Sequence, residues 1–356
     1  MKKLIIPIIL CLALCGCYDS VEIDDLAYVV ALGIDKGENK NYEITFQYAV
    51  PLGIGSGVES GGEKGDKPLY SLTFESDSIR MATAYADKNL AKTTDLSHLN
   101  AIILSKDIAK EGINSFKRDL FSSTRTTKST YLAVCNGKAS DCLNSVTSPL
   151  ELNPSRFYDD FFTGRDSAYS VKQTALELSN GKSTFAVPYL TFEDSLKNAG
   201  MVAFKDGKLT SFFTLEEALM YNILKGEFTN LKFETANGVF NLDSELSPKY
   251  SIDIKDGLKI KIKLSLSGKP ETGKDILFKN TKTTEKILIN SLKQKLLLFL
   301  QKTRDENCDI LTLSSHAKRK FLTEEEFIRY NWDEKFKDAV FDISIAFRNT
   351  ENISGG

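Results

Sequence analysis

Leu258-Lys259-Ile260-Lys261-Ile262-Lys263-Leu264-Ser265-Leu266 alternates apolar and polar residues without a break. A strand turns successive side chains to opposite faces. This period of two therefore predicts a β-strand with Leu258, Ile260, Ile262, Leu264 and Leu266 toward a core and Lys259, Lys261 and Lys263 on the other face. Asp256-Gly257 just before it is a hairpin-turn dipeptide and predicts a long partner strand upstream. Downstream, Leu288, Leu292, Leu296 and Phe299 recur at helical spacing, so an amphipathic helix is expected over about 283–303. Thr323 and Glu326 signal a short capped helix before Trp332. Phe341, Ile343, Ile345 and Phe347 then return to a period of two. Strands, a helix and a closing strand predict an α+β unit, an antiparallel sheet with a helix across one face.

Working back toward the N-terminus, Thr214 and Glu217 form a capping box for a helix ending near Gly226. Met201 to Phe204, the Asp206-Gly207 turn and a strand through Phe213 precede it. Pro188 to about Gly200 reads as a polar connection and marks the preferred domain boundary. Before it, Asn153-Pro154 starts a helix stopped by Gly164, and Ser170 with Gln173 starts another that ends at Gly181. The first half alternates strands and helices. Tyr28–Asp35 and Tyr42–Val50 read as a hairpin, Tyr70–Phe74 as a strand, and about 78–91 as a helix. Leu99–Leu104 is a buried strand, Asp107–Phe121 a helix interrupted at Gly112, and Tyr131–Val134 another strand. This alternation predicts an α/β layer. The stretch from Pro51 to Pro68 is rich in glycine and poor in apolar residues, as a loop would be. The fold class is thus α+β, multi-lobed, with mixed and antiparallel sheets and packed helices.

The first residues predict where the chain resides. Lys2-Lys3, an apolar run from Leu4 to Leu14, and Leu14-Cys15-Gly16-Cys17 read as a signal peptide (1–16) ending in a lipobox. Eleven apolar residues at about 1.5 Å each fall short of a hydrocarbon core about 30 Å thick. Cys17 is the expected lipid acceptor, since Leu14 fits the −3 position and the small Gly16 the −1 position of a tight peptidase pocket. Removal of the leader takes with it Cys11, Cys15 and both lysines.

The net charge of −2, more negative still without Lys2 and Lys3, argues against a nucleic-acid partner. Cys135, Cys142 and Cys308 then remain, an odd number without metal-binding spacing. A disulfide between Cys135 and Cys142 is one reading, and buried free thiols the preferred one. The two histidines, His98 and His316, have no ligand-type neighbour in sequence, so no metal site is expected. No G-x-S-x-G elbow, H-E-x-x-H helix or P-loop occurs, and neither an enzyme nor a cofactor is expected. The adjacent acids Asp24-Asp25 and Asp159-Asp160 read as solvated or capping residues. Lys259, Lys261 and Lys263 are the candidate surface for anionic lipid head groups or a partner, at about 1 kcal/mol for each lysine near a membrane. The competing reading is a solubilising outer sheet face.

A set of ordered motifs carries a resemblance. Cys17-Tyr18-Asp19, Glu22-Ile23-Asp24-Asp25-Leu26-Ala27 and Ala31-Leu32-Gly33-Ile34-Asp35 resemble the start of the Ger(x)C family, with Tyr18 where the family usually has Trp. Ser97 to Leu104, Tyr131 to Val134, Ala199 to Lys205, Thr214 to Ala218 and Trp332 to Phe347 extend it over essentially the whole chain. These are the C-subunit lipoproteins of bacterial spore germinant receptors. The resemblance implies a non-enzymatic lipoprotein held by diacylglycerol on the outer face of the cell membrane, the inner membrane of the spore. There it would work with integral membrane A- and B-type subunits in the response to nutrients. It also implies three lobes. The N-terminal region, 17–195, would split into 18–50 with 150–195, and 68–148, and the C-terminal domain would span 199–352. The competing function is a solute-binding lipoprotein delivering a nutrient to a transporter, although such proteins usually build two similar α/β lobes around a cleft.

Overall fold

The structure, a computed structural model, describes residues 22–50, 69–115, 130–146, 154–163, 184–226, 228–274 and 281–350. Cys17 and its lipobox, the glycine-rich stretch 51–68 and the helix expected between Ser170 and Gly181 lie outside the described residues.

Most of the first half enters one mixed sheet. β1 (Leu26–Lys36) and β2 (Tyr42–Ala49) form the expected hairpin, and β3 (Leu69–Ser76) adds antiparallel to β2. α1 (Ile79–Leu90) starts at Ser78, whose hydroxyl accepts the Met81 N–H, and leads to the short β4 (Thr93–Asp95) beside β1. β5 (Ala101–Ser105), α2 (Lys106–Glu111), β6 (Tyr131–Cys135), α3 (Ala139–Asn144), α4 (Pro154–Thr163) and β7 (Phe185–Phe192) follow. β8 (Leu196–Lys205) and β9 (Lys208–Thr214) complete nine strands in the order β3-β2-β1-β5-β6-β7-β8-β9, with β4 on β1. The centre, β1-β5-β6-β7, is parallel, and the two flanks are antiparallel.

Helices on both sides explain why β5 and β6 are buried at every position. Ile79, Ala82 and Ile108 of α1 and α2 pack over Ile34, Phe46, Leu104 and Val134. Ala139, Leu143, Tyr158 and Phe162 of α3 and α4 pack over Ala31, Ile103 and Ala133 on the opposite face. The helix expected from Asp107 is interrupted at Gly112 as expected: α2 ends at Glu111, and the part of the expected span after Ser115 lies outside the described residues. Gly112, at φ +115°, turns the chain out of the helix.

The polar connection expected from Pro188 to Gly200 is instead the β7–β8 hairpin. The apolar run from Phe185 to Leu190 is buried against β8, and the polarity is confined to the turn at Glu193-Asp194-Ser195. Strand pairing therefore runs across the division expected before residue 199. It also joins residues 26–49, 69–76, 101–105 and 131–135, assigned above to separate lobes, in one sheet.

α5 (Leu215–Lys225) carries the capping box of Thr214 and Glu217 and stops at Gly226, whose φ is +70°. The second sheet then forms in the order β10-β11-β12-β13 from β10 (Leu231–Thr235), β11 (Gly238–Asp253), β12 (Lys259–Gly273) and β13 (Val340–Asn349). Between β12 and β13 come α6 (Thr281–Asp305), α7 (Leu313–Lys318), α8 (Glu324–Tyr330) and α9 (Trp332–Phe336). β10, β11 and β12 are antiparallel neighbours, but β13 lies parallel to β12, so the sheet is mixed rather than antiparallel. The physical reason is the helical excursion between them, which returns the chain to the end of the sheet from which β12 started.

Leu288, Leu292, Leu296 and Phe299 of α6 share a core with Ile260, Ile262 and Leu264 of β12. Met201, Ala203 and Phe213 of the large sheet belong to the same cluster, so the two sheets meet through α5 and α6. Lys302 ties that junction. Its ammonium donates to both Glu217 carboxylate oxygens at 2.9 Å and lies 4.9 Å from the centre of the Phe213 ring.

Candidate functional site: the lysine face of the second sheet

Burial along β12 alternates as its sequence does. Ile260, Ile262, Leu264 and Leu266 are buried, whereas Lys259, Lys261 and Lys263 are exposed. The hairpin register places Asp253 opposite Lys259, Ser251 opposite Lys261, and Lys249 opposite Lys263. On the other side, β13 places Asp342 beside Lys261 and Ser344 beside Lys263. Side chains directly across a pair stand about 5 Å apart at Cβ, and successive same-face residues along a strand about 7 Å. Four ammonium groups, from Lys249, Lys259, Lys261 and Lys263, thus share one exposed patch with two flanking carboxylates. None of the four lysines is in an ion pair among the described residues.

Lys249 was not legible as part of the stripe. The Glu245-to-Pro248 stretch carries two register irregularities, between Ser244 and Leu246 and between Leu246 and Lys249, and these break the alternation in sequence. The missed signal was the turn. Counting back residue for residue from Asp256-Gly257 pairs Lys249 with Lys263. Like charges placed directly opposite destabilise a sheet, so this pair is favoured by an anion brought against it.

Two buried carboxylates hold the starts of helices. The Asp35 carboxylate is buried at the end of β1 and accepts the N–H groups of Ala139 (2.7 Å) and Ser140 (2.9 Å) at the start of α3. Burial raises its pKa above the ordinary carboxylate range, against the lowering effect of those two donors. Asp309 does the same for α7, accepting from Leu313 (2.8 Å) and Ser314 (2.7 Å). Complete burial pushes its pKa up to about 6, again against the two backbone donors.

Cys135, Cys142 and Cys308 are free and buried. The Cys135 thiol is held protonated first by its hydrogen bond with Cys142 and then by burial. Gln47 and Tyr158 form a buried polar pair: the phenol donates to the Gln47 carbonyl oxygen at 2.5 Å, and the Gln47 amide donates to the Leu143 carbonyl at 2.8 Å. His98 is bonded to Ser97 and packs edge-on against Tyr28, while His316 packs against Tyr250. Among the described residues no three His, Cys, Asp or Glu side chains gather as a metal site. No described helix is long and apolar enough to cross a membrane.

The chain is thus a two-sheet α+β protein with a basic face and buried carboxylates, and its relatives define the class. Residues 19–192 match the spore germination protein N-terminal domain, and residues 199–349 match the spore germination B3/GerAC-like C-terminal domain. With both domains present in order, the chain belongs to the GerAC-like family of spore germination proteins, the Ger(x)C family of the sequence resemblance.

Spore germination protein KC of Bacillus subtilis (strain 168) is 23% identical over 381 residues, covering 94% of this chain and 92% of that protein. Spore germination protein A3 of the same organism is 33% identical over 151 residues, covering 40% of this chain and 38% of that protein. The crystal structure of the GerBC protein superposes with a TM-score of 0.56 at 16% identity, over 90% of this chain and 97% of that one. The α+β architecture is therefore that of GerBC.

Proposed function

We propose that the chain is a lipid-anchored, non-enzymatic subunit of a nutrient germinant receptor, acting with integral membrane subunits in spore germination. The observation that supports this most is the ordered pair of germination domains, which together take up nearly all of the chain after Cys17. In this reading Cys17 accepts diacylglycerol two residues before the first domain begins. Two acyl chains, each methylene contributing about 0.8 kcal/mol on burial, hold a protein stably where one chain holds it only reversibly. The anchor also keeps the folded body at high local concentration beside membrane partners. Lys249, Lys259, Lys261 and Lys263 then offer a cationic face to anionic head groups on that membrane. The sequence lacks a nucleophile–base or metal-ligand motif, which supports a role in binding rather than catalysis.

The test is Cys17→Ala expressed in sporulating cells. The variant should lose incorporation of labelled lipid, leave the membrane fraction and reduce nutrient-triggered germination, while its folded body keeps the wild-type circular dichroism. Lipid labelling retained in the variant would show that Cys17 is not the acceptor. Normal germination with labelling lost would count against anchoring as part of the function.

A further inference from the structure

β13 is an edge strand of ten paired residues, and its other side faces no strand among the described residues. Long, regular edges invite pairing with another chain, and proteins ordinarily block them with lysine, proline, bulges or short length. β13 has none of these. Its register with β12 runs from Val340 to Asn349 without a shift, and the stretch holds no Pro, Gly or Lys. The opposite edge, β10, has only five residues and carries Lys232 and Glu234.

The hydrogen-bond phase shows which groups remain available. Val340 N–H donates to Leu258 O at 2.9 Å, and Thr350 N–H to Gly268 O at 2.8 Å. Even-numbered residues therefore address β12. In a parallel ladder the N–H and C=O of the intervening residues point the other way. Phe341, Ile343, Ile345 and Phe347 thus present their backbone groups to the side of β13 that no described strand covers. Their side chains lie on the core face, and Phe341, Ile345 and Phe347 are only half-buried because the sheet ends there.

We infer that two copies of this chain associate by antiparallel pairing of β13 with β13, centred on Ile345. The charge pattern selects the partner and the register. Pairing about Ile345 sets Asp342 opposite Arg348 of the second copy and, by the two-fold symmetry, Arg348 opposite its Asp342. Shifting the centre to Ser344 would place Asp342 opposite Ala346 and lose both pairs. Odd residues meet odd residues in the centred register, so every outward backbone group finds a partner. Asp342 and Arg348 then fall at non-hydrogen-bonded positions, where opposing Cα atoms come within about 4.5 Å. Asp342 has no ion pair among the described residues, and Arg348 reaches Glu245 while keeping donors for a second carboxylate. Addition of a strand also covers the half-buried Phe341, Ile345 and Phe347. The two-fold axis stands perpendicular to the combined sheet, so both lysine faces point the same way.

Ser344 and Ala346 are exposed and become direct cross-strand neighbours only in this register. Full-length chain carrying Ser344→Cys with Ala346→Cys should form a covalent dimer on mild oxidation, read on a non-reducing gel, whereas neither single variant should. Asp342→Arg should reduce the dimer fraction several-fold in sedimentation of the full chain, and Asp342→Arg with Arg348→Asp should restore it. Cross-linking by a single variant would overturn the register. A double variant that stays monomeric, or that links to a different polypeptide, would overturn the self-pairing. All four positions face solvent, so unchanged circular dichroism separates lost association from misfolding.

Discussion

The two sheets handle the same problem, the burial of a flat apolar surface, in opposite ways. The nine-stranded sheet is sandwiched: α1 and α2 cover one face and α3 and α4 the other, so adjacent residues such as Ile102 and Ile103 face different cores and are both buried. Among the described residues the four-stranded sheet is covered on one face only, by α6 and its neighbours, and leaves Lys249, Lys259, Lys261 and Lys263 on the other. A sheet buried on both faces can offer partners only its edges and loops. A sheet buried on one face has an entire surface available, and here no described strand pairs with the outer edge of β13. Among the described residues, the contrast leaves the C-terminal sheet with an exposed face that the large sheet lacks.

Alanine substitution should expose that contrast most strongly. In the large sheet Ile102→Ala and Ile103→Ala should each cost about 2–5 kcal/mol, because each leaves a cavity in a packed core. In β12, Ile262→Ala should cost as much. Its neighbour Lys261→Ala should stay within about 0.5 kcal/mol, as expected of exposed positions. Urea unfolding of the four variants checks this, and a large loss for Lys261→Ala would show that the lysine face is covered in the folded protein.

A smaller effect should separate the buried acids from surface carboxylates. Asp309 holds its proton up to about pH 6 in the folded state, against about 3.9 for an unperturbed aspartate. The native state therefore binds the extra proton between those values, and its contribution to stability falls as pH rises from about 4 to 6. Above that range the ionised carboxylate costs about 3 kcal/mol relative to its protonated form. Asp309→Asn removes the titration. The stability of the wild type minus that of the variant should decline across that window in denaturation at stepped pH. A flat difference would place Asp309 in contact with solvent.

The smallest expected effect on stability comes from replacing Lys249, Lys259, Lys261 and Lys263 with glutamine together. Stability should change by less than about 1 kcal/mol, with relief of the Lys249–Lys263 repulsion favouring the variant. In the Cys17→Ala background, however, binding to vesicles containing anionic phospholipid should weaken by up to about 1 kcal/mol for each lysine removed. Unchanged vesicle binding would leave the face a solubilising surface.

Much of the candidate site was legible in advance, and the exceptions have physical causes. The alternation from Leu258 to Leu266 assigned both faces of β12 correctly, because exposure of one face imposes a period of two. Thr214, Thr323 and Gly226 marked helix ends through chemistry local to the backbone. The β7–β8 hairpin was misread because Pro188 and the polar residues after Phe192 outweighed a buried apolar run, and burial there depends on β6 and β9, far away in sequence. Lys249 was hidden because irregularities in β11 break its alternation, and counting back from the Asp256-Gly257 turn was the signal that reaches it.

The sequence by itself determined what is local: the elements with strong periodicity, their buried and exposed faces, their caps, and the motifs that tie the chain to a germination family. Tertiary structure decided what is distant. It joined Leu26 to Thr214 through one sheet, laid β13 parallel to β12 with an open edge, set Lys249 against Lys263, and brought Cys135 and Cys142 together as free thiols. The reason is the range of the forces that select each feature. Periodicity and capping follow from a residue's own exposure and from hydrogen bonds a few positions away. Strand order and register follow from packing among segments separated by tens of residues, and only their joint burial chooses among the many pairings that local patterns allow.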